Sequence, residues 1–265
     1  MKIYSVLIVL LSFFQTQMFA ESPLSFKPDT LQYSIKNFNH FSGKCEDTSC
    51  VTFVVEYPLF EKTEESPISD TLNLYINSLN LYPVFEEKQA ISLEEMAKNL
   101  DTAYNTSFEE MPLYALPWEL YRTTKVILNS PSFVSLYFEE FSFFGGAHPN
   151  SGVYLHVYDV AQNKSLLLDD ILLPKVKEKF EKVGERYFRI TREISAKESL
   201  ENAGFWFENN LFRLNDNFAF TEEGIRFYFN SYEIGPYVMG PTDFTIPYKD
   251  IMHFLKNEYT EKLQR

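Results

Sequence analysis

Two segments near the start of the chain have residue patterns that predict β-strands. The first segment, at residues 31–41, alternates apolar and polar residues. The second, at 51–57, is a run of β-branched and aromatic residues that Pro58 ends. The residues between the two segments are polar and turn-like. We therefore expect the two strands to form a hairpin.

From residue 66 onward the apolar residues are spaced three and four positions apart, which predicts helices. Ser66 and Pro67 suit the N-cap and the first position of a helix whose apolar face runs through residues 68–79. Ser92, followed three residues later by Glu95, forms a capping box for a second helix.

The longest helical pattern lies in the second half of the chain. It opens at Pro174, and its apolar positions step by three and four residues as far as Ile194. Its opposite face is basic, which is typical of a solvated surface. A last helix is expected over residues 248–259.

Strands dominate the rest of the chain. Their predicted ranges are 118–128, 133–144, 153–158, 217–221, 225–229 and 242–246. Runs of strands with helices in between, without regular βαβ alternation, predict an α+β fold with mostly antiparallel sheets and packed helices. No Pro-, Gly- or Ser-rich linker divides the chain. We therefore expect two closely associated subdomains.

Composition and charge narrow the class of protein. The 265 residues are 45% hydrophobic and 17% aromatic, which excludes a disordered chain. The formal net charge is −13. Nucleic acid is therefore not an expected partner, because phosphate binding needs a basic patch, whereas a cationic partner would be attracted.

Residues 1–20 are typical of a secretory signal peptide. Lys2 supplies the charged start, and Ala20 suits the position before cleavage. The apolar run from Ile3 to Phe14 is shorter than the roughly 20 residues that span a bilayer. We predict an extracytoplasmic protein, periplasmic or secreted, with no membrane span after cleavage. An uncleaved N-terminal anchor is the alternative.

Cys45 and Cys50 are the two cysteines of the chain, and they flank a polar, turn-like quartet. In an exported protein a close pair of this kind predicts one disulfide. Metal binding by the pair is a weaker alternative, because the C-x-x-C spacing and a second pair are missing.

Familiar catalytic motifs are missing from the sequence. It contains no H-x-x-H or H-E-x-x-H pair, no G-x-S-x-G elbow and no glycine-rich phosphate loop. We therefore assign no catalytic residue, no metal site and no cofactor.

Two stretches stand out as candidate binding segments. In the first, Gly145 and Gly146 follow an aromatic strand and precede His148, which suits either a turn or a functional histidine. The second is an apolar loop with two Gly-Pro pairs at residues 227–241, which either packs on the core or forms a partner surface. Its candidate binding residues are Tyr232, Ile234, Pro236, Tyr237 and Met239.

Three motifs, two of them in these stretches, resemble one family. They are F-F-G-G-A-H-P-N at 143–150, Y-D-V-A-Q-N-K-S-L-L-L-D-D-I-L at 158–172 and F-Y-F-N-S-Y-E-I-G-P-Y at 227–237. Together they resemble the RsiV-type extracellular modules, and the N-terminal half is similar to the PdaC-type module. On this resemblance residues 21–150 form a PdaC-like subdomain and residues 151–265 an RsiV-like subdomain.

The resemblance implies an exported α+β binding module of the cell envelope without catalytic activity. It implies as partner either peptidoglycan or a cationic, lysozyme-like glycan hydrolase. Two other hypotheses stay open: an envelope enzyme acting on glycan near His148, and a structural or assembly subunit.

Overall fold

The largest element of the fold is a six-stranded sheet with the order β1-β2-β3-β4-β5-β6. The structure, a computed structural model, describes residues 30–44, 49–62, 67–85, 90–110 and 116–264. The strands are β1 (Tyr33–Lys44), β2 (Ser49–Phe60), β3 (Trp118–Asn129), β4 (Phe133–Phe143), β5 (Asn150–Asp159) and β6 (Lys164–Ser165). Strands β2 and β3 are parallel, and the other neighbours in this sheet are antiparallel.

Two helices connect β2 to β3 and cover one face of this sheet. They are α1 (Ile68–Asn80) and α2 (Leu93–Glu110). The crossover through two helices explains why β2 and β3 run parallel. The predicted cap of α2 is present, because the Ser92 hydroxyl accepts a hydrogen bond from the backbone N–H of Glu95 at 3.1 Å. The Glu95 carboxylate in turn accepts one from the N–H of Ile91 at 2.8 Å.

A smaller antiparallel sheet packs near β4 and β5. It consists of β7 (Phe218–Phe220), β8 (Gly224–Phe229) and β9 (Thr242–Pro247). The helices around it are α3 (Leu168–Ile171), α4 (Lys177–Thr191), α5 (Tyr248–Ile251) and α6 (Asn257–Leu263). Its inner face joins β5 and α4 in a core rich in phenylalanine. The predicted α+β class with mostly antiparallel sheets is confirmed.

Two helix predictions are wrong in detail. The last helix is split into α5, a 3-10 turn at Met252–Phe254 and α6. The break arises because Leu255 is extended and forms a β-bridge with Leu172. Helix α4 begins at Lys177 and not at Pro174, because Lys175 lies in the left-handed region with φ +65°.

Some predictions fall outside the described residues. The signal peptide at 1–20, the N-cap Ser66 and Cys45 all lie there. Cys50 is buried on β2, and its pairing with Cys45 stays a prediction. The predicted boundary between residues 150 and 151 falls at the start of β5, a strand that pairs with β4 in the first sheet. The division into two subdomains also stays a prediction.

Two asparagines that flank β7 and β8 of the second sheet bond the edge of β5. The Asn217 side chain accepts a hydrogen bond from the Leu155 N–H at 2.7 Å and donates one to the Val153 carbonyl at 2.9 Å. Asn230 bonds both the N–H and the carbonyl of Val153, at 2.7 and 2.9 Å. These amides occupy backbone groups that would otherwise be free to pair with another chain.

A buried arginine joins three elements of the first sheet and its helices. The side chain of Arg122 on β3 is out of contact with solvent, and its guanidinium donates to the Glu140 carboxylate on β4 at 2.7 Å. It also donates to the carbonyls of Asn80 and Tyr82, at 2.7 and 2.8 Å. Burial lowers the pKa of Arg122, while the neighbouring Glu140 opposes that shift.

The two partners of this ion pair should differ in their effect on stability. Glu140→Ala leaves a buried guanidinium without its counter-charge, and we expect it to cost about 3–5 kcal/mol. Arg122→Met removes the buried charge but leaves two carbonyls unpaired, so we expect a smaller loss of about 1–3 kcal/mol. Urea unfolding followed by circular dichroism measures both.

Glu139→Ala is the matched control, because Glu139 neighbours Glu140 but faces the opposite side of the sheet. An equal loss for Glu139→Ala and Glu140→Ala would contradict the role assigned to the ion pair.

Candidate functional site

Three aromatic rings from two distant segments meet at the surface. The ring of His148 lies against that of Tyr237, with centroids 4.4 Å apart and an interplanar angle of 20°. Tyr232 lies beside both, 5.4 Å from the Tyr237 ring and 6.5 Å from the His148 ring. All three side chains are exposed. We call His148, Tyr232 and Tyr237 the ring cluster.

Two glycines bring His148 to this position. Gly145 and Gly146 follow β4 with φ values of +79° and +116°, which a residue with a side chain rarely adopts. They turn the chain away from the sheet before β5 begins. A ring nitrogen of His148 then bonds the Pro149 carbonyl at 3.0 Å, which helps to fix the ring.

Short-range hydrogen bonds fix the loop that carries the two tyrosines. The Glu233 carboxylate accepts a hydrogen bond from the Asn230 N–H at 2.8 Å, and Tyr232 between them has φ +67°. After Pro236 the chain forms a 3-10 turn at Tyr237–Met239. The loop is therefore an ordered platform that presents its rings outward.

The remaining predicted site residues of the loop support this platform. Ile234 is buried in the large core, and Met239 packs against that core. The Met239 sulfur lies over Gly204 and Gly235, at positions where a Cβ would approach it to 3.3 and 3.1 Å. Pro236 is half-buried. The sequence left open whether this loop packs on the core or forms an exposed surface. The structure shows both, because some of its side chains pack inward and others face solvent.

Arg192, at the C-terminal end of α4, bonds the backbone of the loop. The Arg192 guanidinium donates to the carbonyls of Met239 and Pro241, at 2.8 and 3.4 Å. It also lies over the Phe205 ring, 5.3 Å from the centroid. Arg192 therefore joins the ring-bearing loop to the end of the helix.

Sequence reasoning missed one exposed aromatic residue beside the platform. Trp206 is 59% exposed, and its backbone N–H donates to the Ile234 carbonyl at 2.9 Å. Val238, in the loop itself, is 89% exposed. The sequence signal was an isolated tryptophan between two phenylalanines in a polar, turn-rich stretch at 199–210.

The other three histidines occupy separate places. His40 bonds Asp101 of α2 at 3.0 Å, and His253 packs against Phe254. His156 lies under α1, where its ring nitrogen Nε2 forms a hydrogen bond with the Tyr75 hydroxyl. Burial lowers the pKa of His156 to about 4. Among the described residues, no group of three or more His, Cys, Asp or Glu side chains is arranged to hold a metal ion.

Comparisons with known proteins agree with this architecture. Residues 44–151 match the family model described as deacetylase PdaC. Residues 166–249 match the model described as protein of unknown function DUF3298. The chain carries a PdaC domain followed by a DUF3298 domain. The predicted family resemblance is thereby confirmed.

One curated relative matches most of the chain. It is the peptidoglycan-N-acetylmuramic acid deacetylase PdaC of Bacillus subtilis, which is 20% identical over 246 residues. The match covers 90% of this chain but 47% of the deacetylase. The chain thus spans about half the length of this relative.

Two crystal structures of DUF3298 proteins share the fold. One, from Bacteroides fragilis, has a TM-score of 0.73 at 22% identity and covers 88% of this chain and 97% of that one. The other, from Pseudomonas aeruginosa, has a TM-score of 0.62 at 21% identity, with coverages of 86% and 95%. Both structures thus share the α+β fold over most of this chain. Within the part of the chain that the structure describes, no helix is long and apolar enough to cross a membrane.

The low pKa of His156 predicts a loss of stability in mild acid. An unfolded histidine titrates near 6.5, so between pH 6.5 and 4 the unfolded chain binds a proton that the folded chain does not. Above pH 6.5 the protonation of His156 does not lower the free energy of unfolding. As the pH drops to 4, the free energy of unfolding falls by about 3 kcal/mol. Urea unfolding at pH 7.5, 5.5 and 4.5 measures this loss.

His156→Gln keeps an acceptor for Tyr75 but does not titrate, so the loss of stability in acid should be smaller in this variant. His148→Gln changes an exposed histidine and serves as control. The assignment fails if His156→Gln loses as much stability in acid as the original chain.

Proposed function

We propose that this chain is an exported, non-catalytic binding protein of the cell envelope, and that its ring cluster holds glycan strands of peptidoglycan. The observation that carries the proposal is the exposed stack of His148 and Tyr237 with Tyr232 beside it. Exposed, grouped aromatic side chains mark binding surfaces, and flat rings offer an apolar face to the C–H side of a sugar.

The order of the ring cluster supports a binding role. Its rings contact each other in the free protein, and hydrogen bonds fix the backbone on both sides. A ligand would therefore find the rings already arranged, which lowers the entropy lost on binding.

The deacetylase among the relatives supports the choice of ligand, since its name states that it acts on peptidoglycan. Because this chain matches less than half of that protein, we do not extend the deacetylase activity to it. For the enzyme hypothesis near His148, the structure offers a ring bonded to a backbone carbonyl and stacked on a tyrosine. That arrangement suits a platform better than proton transfer.

A second candidate function is binding of a cationic, lysozyme-like glycan hydrolase. The net charge of −13 favours it, because opposite charge raises the rate of association. Peptidoglycan is preferred because the ring cluster suits a sugar chain directly.

The proposal predicts that a single ring substitution abolishes most of the binding to insoluble peptidoglycan. Tyr237→Ser should lower the affinity for purified sacculi at least fivefold in a sedimentation assay, because it removes the central ring of the stack. Tyr121→Ser is the matched control: Tyr121 is 37% exposed and Tyr237 is 38% exposed, but Tyr121 lies on β3, where it pairs with Phe141 in the first sheet. It should bind as the unaltered chain does.

Three results would overturn the proposal. The first is Tyr237→Ser binding sacculi as the unaltered chain does. The second is binding to lysozyme, weakened by salt, with no binding to sacculi, which would favour the second candidate function. The third is a change in oligomeric state of Tyr237→Ser by light scattering, which would favour an assembly subunit. Fluorescence of the exposed Trp206 gives an independent readout of ligand binding beside the loop.

A further inference from the structure

We propose that the ring cluster continues into a second exposed surface, and that together they form a track for a chain of amino sugars whose amines are free and positively charged. The second surface consists of Tyr82, Glu140, Tyr154 and Glu233, and we call it the amine track. This inference rests on the proposed function and adds the length and the charge of the ligand.

A row of paired residues across the first sheet forms the floor of the amine track. Arg122 on β3 is opposite Glu140 on β4, which in turn is opposite Gly152 on β5. Gly152 has no side chain, and the Tyr154 ring lies over it, so that a Cβ added there would be 3.1 Å from the ring. One side of the Tyr154 ring therefore rests on the sheet, and 48% of the residue remains exposed.

Tyr82 forms the far end of the track. It lies two residues after the end of α1, and the Arg122 guanidinium donates to its backbone carbonyl at 2.8 Å. The residue itself is 67% exposed. A fixed backbone with an exposed ring is the same arrangement that the ring cluster shows.

Glu233 connects the amine track to the ring cluster. It follows Tyr232 in the chain, and its carboxylate is held by Asn215 at 2.6 Å and by the Asn230 N–H at 2.8 Å. Asn230 also bonds the backbone of Val153, which lies between Gly152 and Tyr154 on β5. Glu233 is therefore held close to the strand that carries Tyr154. Burial raises the pKa of Tyr154, and Glu140, Tyr82 and Glu233 raise it further, in agreement with this placement.

The charge of this surface selects the ligand. The positive partner of Glu140 is Arg122, whose side chain is completely buried, so the surface presents the carboxylate and not the guanidinium. Glu233 is exposed and is held by an amide and a backbone N–H, with no cation among these partners. Rings between carboxylates favour a ligand that combines apolar faces with positive charge. An oligomer of glucosamine has apolar ring faces throughout and amines that are positively charged in mildly acidic solution, whereas N-acetylation removes the charge.

The test compares ligand length and charge by calorimetry. The ligands are the glucosamine dimer, the glucosamine hexamer and the N-acetylglucosamine hexamer, each at 50 and 500 mM NaCl. We expect the glucosamine hexamer to bind at least fivefold more tightly than the acetylated hexamer at low salt, and the difference to shrink at high salt.

Variants separate the two parts of the surface. Tyr82→Ser and Tyr154→Ser should weaken hexamer binding at least threefold and leave dimer binding unchanged, because the dimer is held at the ring cluster. Glu233→Gln, which keeps one of the two acceptor oxygens but removes the charge, should reduce the preference for the free amine. Tyr121→Ser is again the matched control.

The inference and the proposed function fail in different ways. If Tyr237→Ser weakens all three ligands while Tyr82→Ser, Tyr154→Ser and Glu233→Gln change nothing, the amine track is wrong and the ring cluster stands. Equal affinity for the amine and acetylated hexamers also overturns the amine track. If no glycan binds the unaltered chain, both are wrong.

Discussion

The buried guanidinium of Arg122 is the interaction on which the first half of the structure depends. A buried guanidinium needs hydrogen-bond acceptors for its donors. Here the acceptors are the Glu140 carboxylate and two carbonyls near the end of α1. The last carbonyls of a helix lack intrahelical donors and carry partial negative charge, so the guanidinium also acts as a C-terminal cap. One side chain thereby fixes the spacing of β3 and β4, the end of α1 and the position of Tyr82.

A second recurring feature is an asparagine side chain that bonds backbone N–H and carbonyl groups as a neighbouring strand would. Two such asparagines join the two sheets. Asn217 and Asn230 bond the edge of β5, and elsewhere Asn73 bonds both backbone groups of Phe60 while Asn129 bonds both of Leu31. An amide offers one donor and one acceptor in the geometry of a peptide group. At β5 this feature has a functional consequence, because Asn230 is also the residue whose N–H holds Glu233. The loop with the ring cluster is thus tied to the first sheet as well as to the second.

Local patterns predicted most strands, the Ser92 cap and the α+β class, because period and capping depend on neighbours in the chain. They failed where tertiary contacts decide the backbone, as at Lys175 and at Leu255. For the candidate site, the sequence identified His148 and Tyr237 as separate candidates, but their stacking joins segments far apart in the chain. Alternation along β3 puts Arg122 on the same face as Trp118 and Leu120. The counter-charge that makes this burial possible, Glu140, lies on another strand and could not be identified from spacing.

The order of the ring cluster comes from the residues that hold its backbone in place. Exposed rings gain little from the core, so their order must come from elsewhere: from positive φ values at Gly145 and Gly146, from Arg192 beneath the loop and from the buried Ile234. These supports hold the backbone, while the rings keep one face in solvent. Residues that only stabilised the fold would be expected to turn such large apolar surfaces inward, as the neighbouring Phe205 does. Rigid backbone under exposed rings is instead the arrangement that a binding surface requires, because the cost of ordering is met during folding and not during association.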